Sequence, residues 1–357
     1  MKERLPATDG ERSRAAAQRV VADVATGVHG ALAFIGDRLG IFKAMKDAGP
    51  LTVEELARRT GLVPRYLREW LCAMAAGEYL AYDPATESFT LEEHFAAALA
   101  DEESPYFAAG YFQMLQALTA TAPRVAQAFQ EGGGVPQSEF PPWTFEATSR
   151  NSYPRYRHKL VQKWIGAMPE VVAKLRAGAT VADVGCGRGR AAIAVAQAFP
   201  ATRVFGFDVH GESVERARRR AEELGIGGRV TFENANATSL PAGRFDLVMA
   251  MDVVHDAVDP VALAASIRAA LAPGGTFLMQ EINVGPRLED NIRTLGKMAY
   301  SVSTLYCMTV SLAGGGAGIG AAMGEVRARE IAKRSGFTHF RRLPVEDDFA
   351  VLYELKA

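Results

Sequence analysis

The stretch VADVGCGRGR at 181–190 sets glycines at 185, 187 and 189 directly behind an apolar run, the pattern of a loop whose backbone closely approaches a ligand. A dinucleotide loop needs a third glycine where this chain has Arg190, because a helix must pack tightly on the strand at that point. Asp183, two residues before Gly185, would crowd a pyrophosphate. The same carboxylate suits a cation. Further on, Asp208 closes a second apolar run, where a carboxylate offers paired acceptors to the vicinal hydroxyls of a ribose. A nicotinamide enzyme would share Asp208, but Asp183 and Arg190 speak against hydride transfer.

These residues need strand ends to hold them. From Thr180 onward, strand-like and helix-like segments alternate: TVADVG, TRVFGFDV, RVTFENA, FDLVMAMDVV and GTFLMQEIN are strands, with helices between. Such alternation predicts a parallel sheet covered on both faces, with ligands at the carboxyl ends of the strands. The last segments, FTHFRRLP and DFAVLYEL, are expected to pair antiparallel at the sheet edge across a short acidic turn.

With Asp183, the three glycines, Asp208, Asn236 in NANATSLP, Asp252 in AMDVVHD and the Pro273-Gly274-Gly275 turn in this order, the second half of the chain resembles the class I methyltransferases that use S-adenosylmethionine. The resemblance covers 177–357. It implies an α/β, Rossmann-like doubly wound sheet with an antiparallel C-terminal edge strand, S-adenosylmethionine as cofactor and S-adenosylhomocysteine as product. Asp183, Gly185, Gly187 and Gly189 would then hold the amino-acid end, Asp208 and Val209 the ribose, Asn236 and Ala237 the adenine, and Asp252 the neighbourhood of the methyl-bearing sulfur. Methyl transfer to a hydroxyl also requires that a proton be removed. His255 and Asp256 match the His-Asp pair of plant-type O-methyltransferases, in which the histidine is the base, although the tryptophan that commonly follows is Ala257 here. Glu281 and Glu325 stand at the positions of the two glutamates that orient that histidine. A blander alternative has Asp256 and Asp259 simply capping a helix that begins at Pro260. An amine acceptor would need no such base.

Upstream, 104–176 reads as a helical connector rich in aromatic residues; these are either helix core or, for Trp143, Phe145, Tyr156 and Trp164, the wall of a pocket for a small organic acceptor. Tyr300 and Tyr306, in a long insertion before the last strands, read as a core face of a helix, whereas the resemblance implies that this insertion roofs the acceptor pocket, with the glycine tract 314–320 as a flexible part of that roof. Cys307 is expected to pack.

Residues 1–103 read as a mostly α-helical winged-helix and dimerisation domain. Two amphipathic helices run from about Ala15 to Ala48, followed by Thr52 as a helix cap with Glu55 three residues on, a turn at Gly61, a helix bearing Leu67, Trp70, Leu71 and Met74, and a strand pair around DPAT. Winged helices often bind DNA, yet Leu51 to Thr90 holds four basic and six acidic residues, whereas a DNA reader needs a basic footprint. A DNA-binding metabolite sensor is therefore the minor alternative, and a homodimer formed through this domain is expected. The formal net charge of −1 supplies no field for nucleic acid or anionic membrane. Cys72, Cys186 and Cys307 are too few and too scattered for a disulfide framework or a zinc cage, so no metal is expected and the cytoplasm is the default compartment. The opening MKERLPATDGERSR has no apolar core of a signal peptide, and no run is read as a membrane span.

Overall fold

The computed structural model describes residues 8–357; the first seven residues of the polar opening segment lie outside the described residues. The chain divides into two compact units, up to Gln116 and from Ala117 onward.

The first unit begins with the helix Asp9–Arg38, whose Thr8 cap and Glu11 bond reciprocally, each to the other's backbone N–H. Gly40, left-handed at φ +70°, ends this segment and starts the short helix Ile41–Met45. The long helix buries only a narrow stripe of small residues, Gly30, Ala33 and Gly36. A Cβ on Gly36 would lie 2.3 Å from the Trp70 ring, so glycine is what lets Trp70 dock and donate its indole N–H to the Leu32 carbonyl at 2.9 Å. By length and composition this helix, expected to be amphipathic, is apolar enough to cross a membrane. The winged-helix elements follow as expected: Val53–Thr60 with its Thr52–Glu55 capping box, Pro64–Ala76, then β1 (Ala81–Asp83) antiparallel to β2 (Ser88–Thr90). Phe42, Leu56, Leu67, Leu71 and Met74 fill its core.

The second unit holds β3 (Thr180–Val184), β4 (Arg203–Asp208), β5 (Val230–Asn234), β6 (Phe245–Met251), β7 (Leu271–Ile282), β8 (His339–Arg342) and β9 (Ala350–Lys356). They form one sheet in the order β5-β4-β3-β6-β7-β9-β8. β3 to β7 are parallel, and β9 runs antiparallel to both β7 and β8. The C-terminal strands pair as expected, with a refinement: the antiparallel strand β9 lies one place in from the edge, which is β8. Successive side chains alternate between two cores, Leu247, Met249 and Met251 facing one and Val248 and Ala250 the other. This is the double-sided burial that near-continuous apolar strands demand. Pro273-Gly274-Gly275 is absorbed as an irregularity in β7, where the β6 register jumps from Phe245↔Leu271 to Leu247↔Thr276.

Candidate active site

The glycine loop leaves β3 at Val184 and is tied to β4 by the Gly185 and Cys186 N–H groups, which donate to the Phe207 carbonyl at 2.8 and 3.1 Å. Gly185 and Gly189 are left-handed, and an added Cβ would meet Val253 and Phe232 respectively at 2.5 Å. Gly187 is left-handed too, but a Cβ there would meet nothing within 4 Å. The open side of the loop is thus at Gly187. Its N–H donates to Asp208 Oδ2 at 2.7 Å, while Asp208 Oδ1 accepts the His210 N–H at 2.8 Å. Both carboxylate oxygens are held in place and keep lone pairs for a diol. Phe145 stacks on the ring of His210, two residues along the chain from Asp208, at 3.7 Å. Val209 is exposed, and Asn236 caps the short turn Ala237–Ser239 by accepting the Thr238 N–H.

Asp183 is almost wholly buried and accepts the Ala192 N–H at 3.1 Å. Burial, against this bond and abetted by the charge of Asp208, pushes its carboxyl up to about 7. A cation beside it would relieve that cost, so the donor set fits the ammonium and ribose of S-adenosylmethionine. Asp252, just beyond β6, holds a left-handed backbone at φ +57° without being glycine. Its side chain accepts from Gln280 Nε2 at 2.8 Å and lies 3.9 Å from Arg155. Strain of this kind persists where surroundings over-determine a residue.

His255 sits on a short turn, Val254–Asp256, and is buried. Its Nδ1 lies 2.5 Å from Glu281 Oε2, and its Nε2 lies 3.2 Å from Asp256 Oδ1. Burial opposes charge on the ring, but Glu281 and Asp256, with hydrogen bonding to Asp256 and Cys307, outweigh it and hold the pKa well above the ordinary value. Glu281 is buried beneath it, and burial raises its carboxyl despite the opposing pull of His255. Asp259 caps the helix Pro260–Ala270 through the Val261 and Ala262 N–H groups, so the capping role falls to Asp259 while Asp256 faces the histidine. The expectation for Glu325 is corrected: its carboxylate pairs with Arg329 at 2.8 Å and Arg342 at 3.4 Å, because the helix Gly324–Arg334 turns that face toward β8.

The expected pocket aromatics separate. Trp164 is fully buried in the core, a correction that follows from the four-residue spacing of Tyr156, Leu160 and Trp164 on one inward face. Tyr156 has its phenol raised by burial and then by Asp252. Tyr306 accepts from Gln137 Nε2 at 3.0 Å and meets Phe140 edge-on at 4.8 Å. Its phenol is raised by burial and by Asp256. Trp143 and Tyr300 are exposed, and Tyr300 receives a hydrogen bond from Asn291. Tyr156 and Tyr306 both lie on wide-turn π segments, Tyr156–Trp164 and Ser303–Cys307, a feature frequent at functional sites and invisible to a 3.6-residue reading. The glycine tract is also corrected from a flexible roof to a tied one. Gly320 donates to the His255 carbonyl at 3.2 Å and Ala317 to that of Val258 at 3.0 Å, and a Cβ on Gly316 would lie 2.6 Å from Val258 Cα. Its glycines allow close approach to the histidine loop.

The sheet order is that of a Rossmann-like methyltransferase fold, and the chain carries a methyltransferase domain preceded by a winged helix-turn-helix domain. Residues 175–336 match the methyltransferase domain family, and residues 27–101 match the Rv2258c-like winged HTH domain. Among curated proteins, the 27-O-demethylrifamycin SV methyltransferase of Amycolatopsis mediterranei is 32% identical over 155 residues, 41% of this chain and 55% of that protein. The ubiquinone biosynthesis O-methyltransferase of Actinobacillus pleuropneumoniae serotype 5b is 35% identical over 111 residues, 30% of this chain and 47% of its own length. The chain thus spans about half the length of the curated relatives it matches. Among solved structures, the mitomycin 7-O-methyltransferase MmcR shares the fold at TM-score 0.65 and 21% identity, over 97% of this chain and 99% of that one. Human N-acetylserotonin methyltransferase, solved with its S-adenosylmethionine, gives 0.65 and 20%, over 96% and 98%.

Proposed function

We propose that this chain methylates a hydroxyl of a small organic acceptor, with His255 as the base. The observation that carries this is the buried His255–Glu281 pair at 2.5 Å, on the turn that follows β6, at the carboxyl end where the sheet places ligands. When bound, S-adenosylmethionine supplies a methyl group already activated on a sulfonium. Glu281 accepts a hydrogen bond from Nδ1–H and so fixes the tautomer, leaving Nε2 to take the proton of the acceptor hydroxyl, whose oxygen would receive the methyl group. The acceptor hydroxyl competes with Asp256 for Nε2. Tyr306 and Gln137 stand as the polar and aromatic lining that would orient the ring or chain of the acceptor. Relatives named for O-methylation support a hydroxyl over an amine.

We assign the homodimer to the helix Asp9–Arg38. Val20, Val21, Val24, Val28 and Ile35 are exposed along it, a contiguous apolar stripe that a second copy would cover. The three cysteines are free, which supports a reducing, cytoplasmic setting.

Calorimetry with S-adenosylhomocysteine and turnover on a panel of hydroxylated aromatics test the reading. Absence of binding heat at millimolar ligand overturns the cofactor assignment. His255→Ala should lower turnover about 10²- to 10⁴-fold with cofactor binding intact. Undiminished turnover would mean that no general base acts here.

A further inference from the structure

Facing the histidine's second nitrogen is a set of donors that methyl transfer does not require. A ring nitrogen of His255, a carboxylate oxygen of Asp256 and the Cys307 thiol sulfur all lie within 4.8 Å of one another, and His255 Nε2 stands 3.2 Å from Asp256 Oδ1. His255 and Cys307 are buried, and Asp256 Oδ1 is buried with no well-formed hydrogen bond, its one neighbour given being His255 Nε2. We propose that these three side chains form a binding site for a soft divalent cation of the zinc type, seated on the nitrogen that would otherwise take the acceptor's proton.

The chemistry of the set fits. A tetrahedral zinc bound by nitrogen and sulfur at roughly 2.0 and 2.3 Å spaces its donors roughly 3.3 to 3.7 Å apart. The nitrogen–oxygen pair already has about that spacing, and the sulfur lies within 4.8 Å of its partners. One thiolate and one carboxylate balance the charge of a dication among the direct ligands, as a buried site favours. A coordinating histidine characteristically gives its other N–H to a carboxylate, and Glu281 is in that position at 2.5 Å from Nδ1. Three protein donors leave the fourth coordination position open to water or to the acceptor oxygen. Loading displaces the thiol proton and any proton on Nε2, both released to solvent. Scattered along the chain, the cysteines suggest no zinc cage; the wide-turn segment Ser303–Cys307 carries Cys307 onto a histidine more than fifty residues distant.

The metal site stands on geometry alone, while its consequence, inhibition of turnover, rests on the reading of His255 as the base. The test uses the full chain without a histidine tag, under a non-thiol reductant. Cobalt(II) is titrated while its near-ultraviolet thiolate charge-transfer band is followed, and zinc is then added to displace it. One equivalent should bind, with affinity falling about tenfold or more in Cys307→Ser and Asp256→Asn, about 10- to 100-fold in Glu281→Gln, and not at all in Cys72→Ser. Thermal melts of the variants establish that each is folded. No charge-transfer band at micromolar cobalt, or an unchanged one in Cys307→Ser, overturns the site. Zinc should also suppress methyl transfer reversibly with a chelator. If zinc binds as predicted and turnover is untouched, the site holds and the base assignment of His255 fails.

Discussion

His255 Nδ1 and Glu281 Oε2 stand 2.5 Å apart, both side chains buried, although they come from the ends of two different strands. The pair fixes the sign of the pH dependence. A carboxylate beside the ring favours imidazolium and holds its pKa well above the ordinary value, whereas a base must be neutral, so kcat/KM should rise with pH through that elevated value. Glu281→Gln removes the anion, so the acid limb should move to lower pH while the plateau falls at least about tenfold. A limb that stays in place would show that Glu281 does not act through His255.

Asp208→Ala removes the acceptor for the Gly187 and His210 N–H groups as well as for a ribose. Hydrogen bonds to a charged group contribute about 1.5 to 3 kcal/mol, so the Kd for S-adenosylhomocysteine should rise by roughly 10- to 100-fold or more in calorimetry.

Asp183, if it faces the cofactor's ammonium as proposed, couples that binding to stability. Its folded pKa of about 7 lies above the ordinary 3.8, so the unbound fold loses stability as pH rises from about 4 to about 7 and stays at the lower level above that. The loss amounts to roughly 4 kcal/mol at most. Asp183→Asn should therefore raise the Tm of the unliganded protein at pH 8 more than at pH 5, and weaken S-adenosylhomocysteine binding. A Tm advantage independent of pH would place the strain elsewhere.

Gly316→Ala puts a methyl group 2.6 Å from Val258 Cα and 2.7 Å from the Ser311 carbonyl oxygen. Overpacking of this kind costs about 1 to 3 kcal/mol. The displaced loop carries His255, so kcat should fall while the cofactor Kd holds. Equal losses in both would argue for general destabilisation.

The exposed valine stripe of Asp9–Arg38 predicts a concentration-dependent dimer. Val24→Asp with Val28→Asp, both at exposed positions, should yield monomer in light scattering while leaving the Tm of the methyltransferase unit unchanged. A wild-type monomer at micromolar concentration would remove the dimer.

Much of the fold was legible because it is written in local pattern. The capping box at Thr52 and Glu55, the strand runs that became β3 to β7 and the paired ends β8 and β9 each follow from short-range periodicity and turn chemistry. Trp164 and Glu325 were misplaced for a common reason. Whether an aromatic faces a pocket or a core, and which basic groups meet a carboxylate, depends on how a helix is rotated against its neighbours, and wide-turn segments shift that rotation without a sequence mark. The glycine tract was misread because glycine serves flexibility and close approach equally well; only Val258 and Ser311 at its surface distinguish them.

By itself the sequence determined the cofactor chemistry of this protein. Asp183, the three glycines and Asp208 lie at strand ends whose order is set by alternation along the chain, and backbone approach with fixed carboxylates needs little else. The tertiary structure alone decided the surroundings of His255. Glu281, Asp256, Cys307 and the glycine tract converge on it from separate segments. Charge, proton affinity and metal affinity depend on through-space distances of a few ångströms in a medium without water, and spacing along the chain carries no information about them.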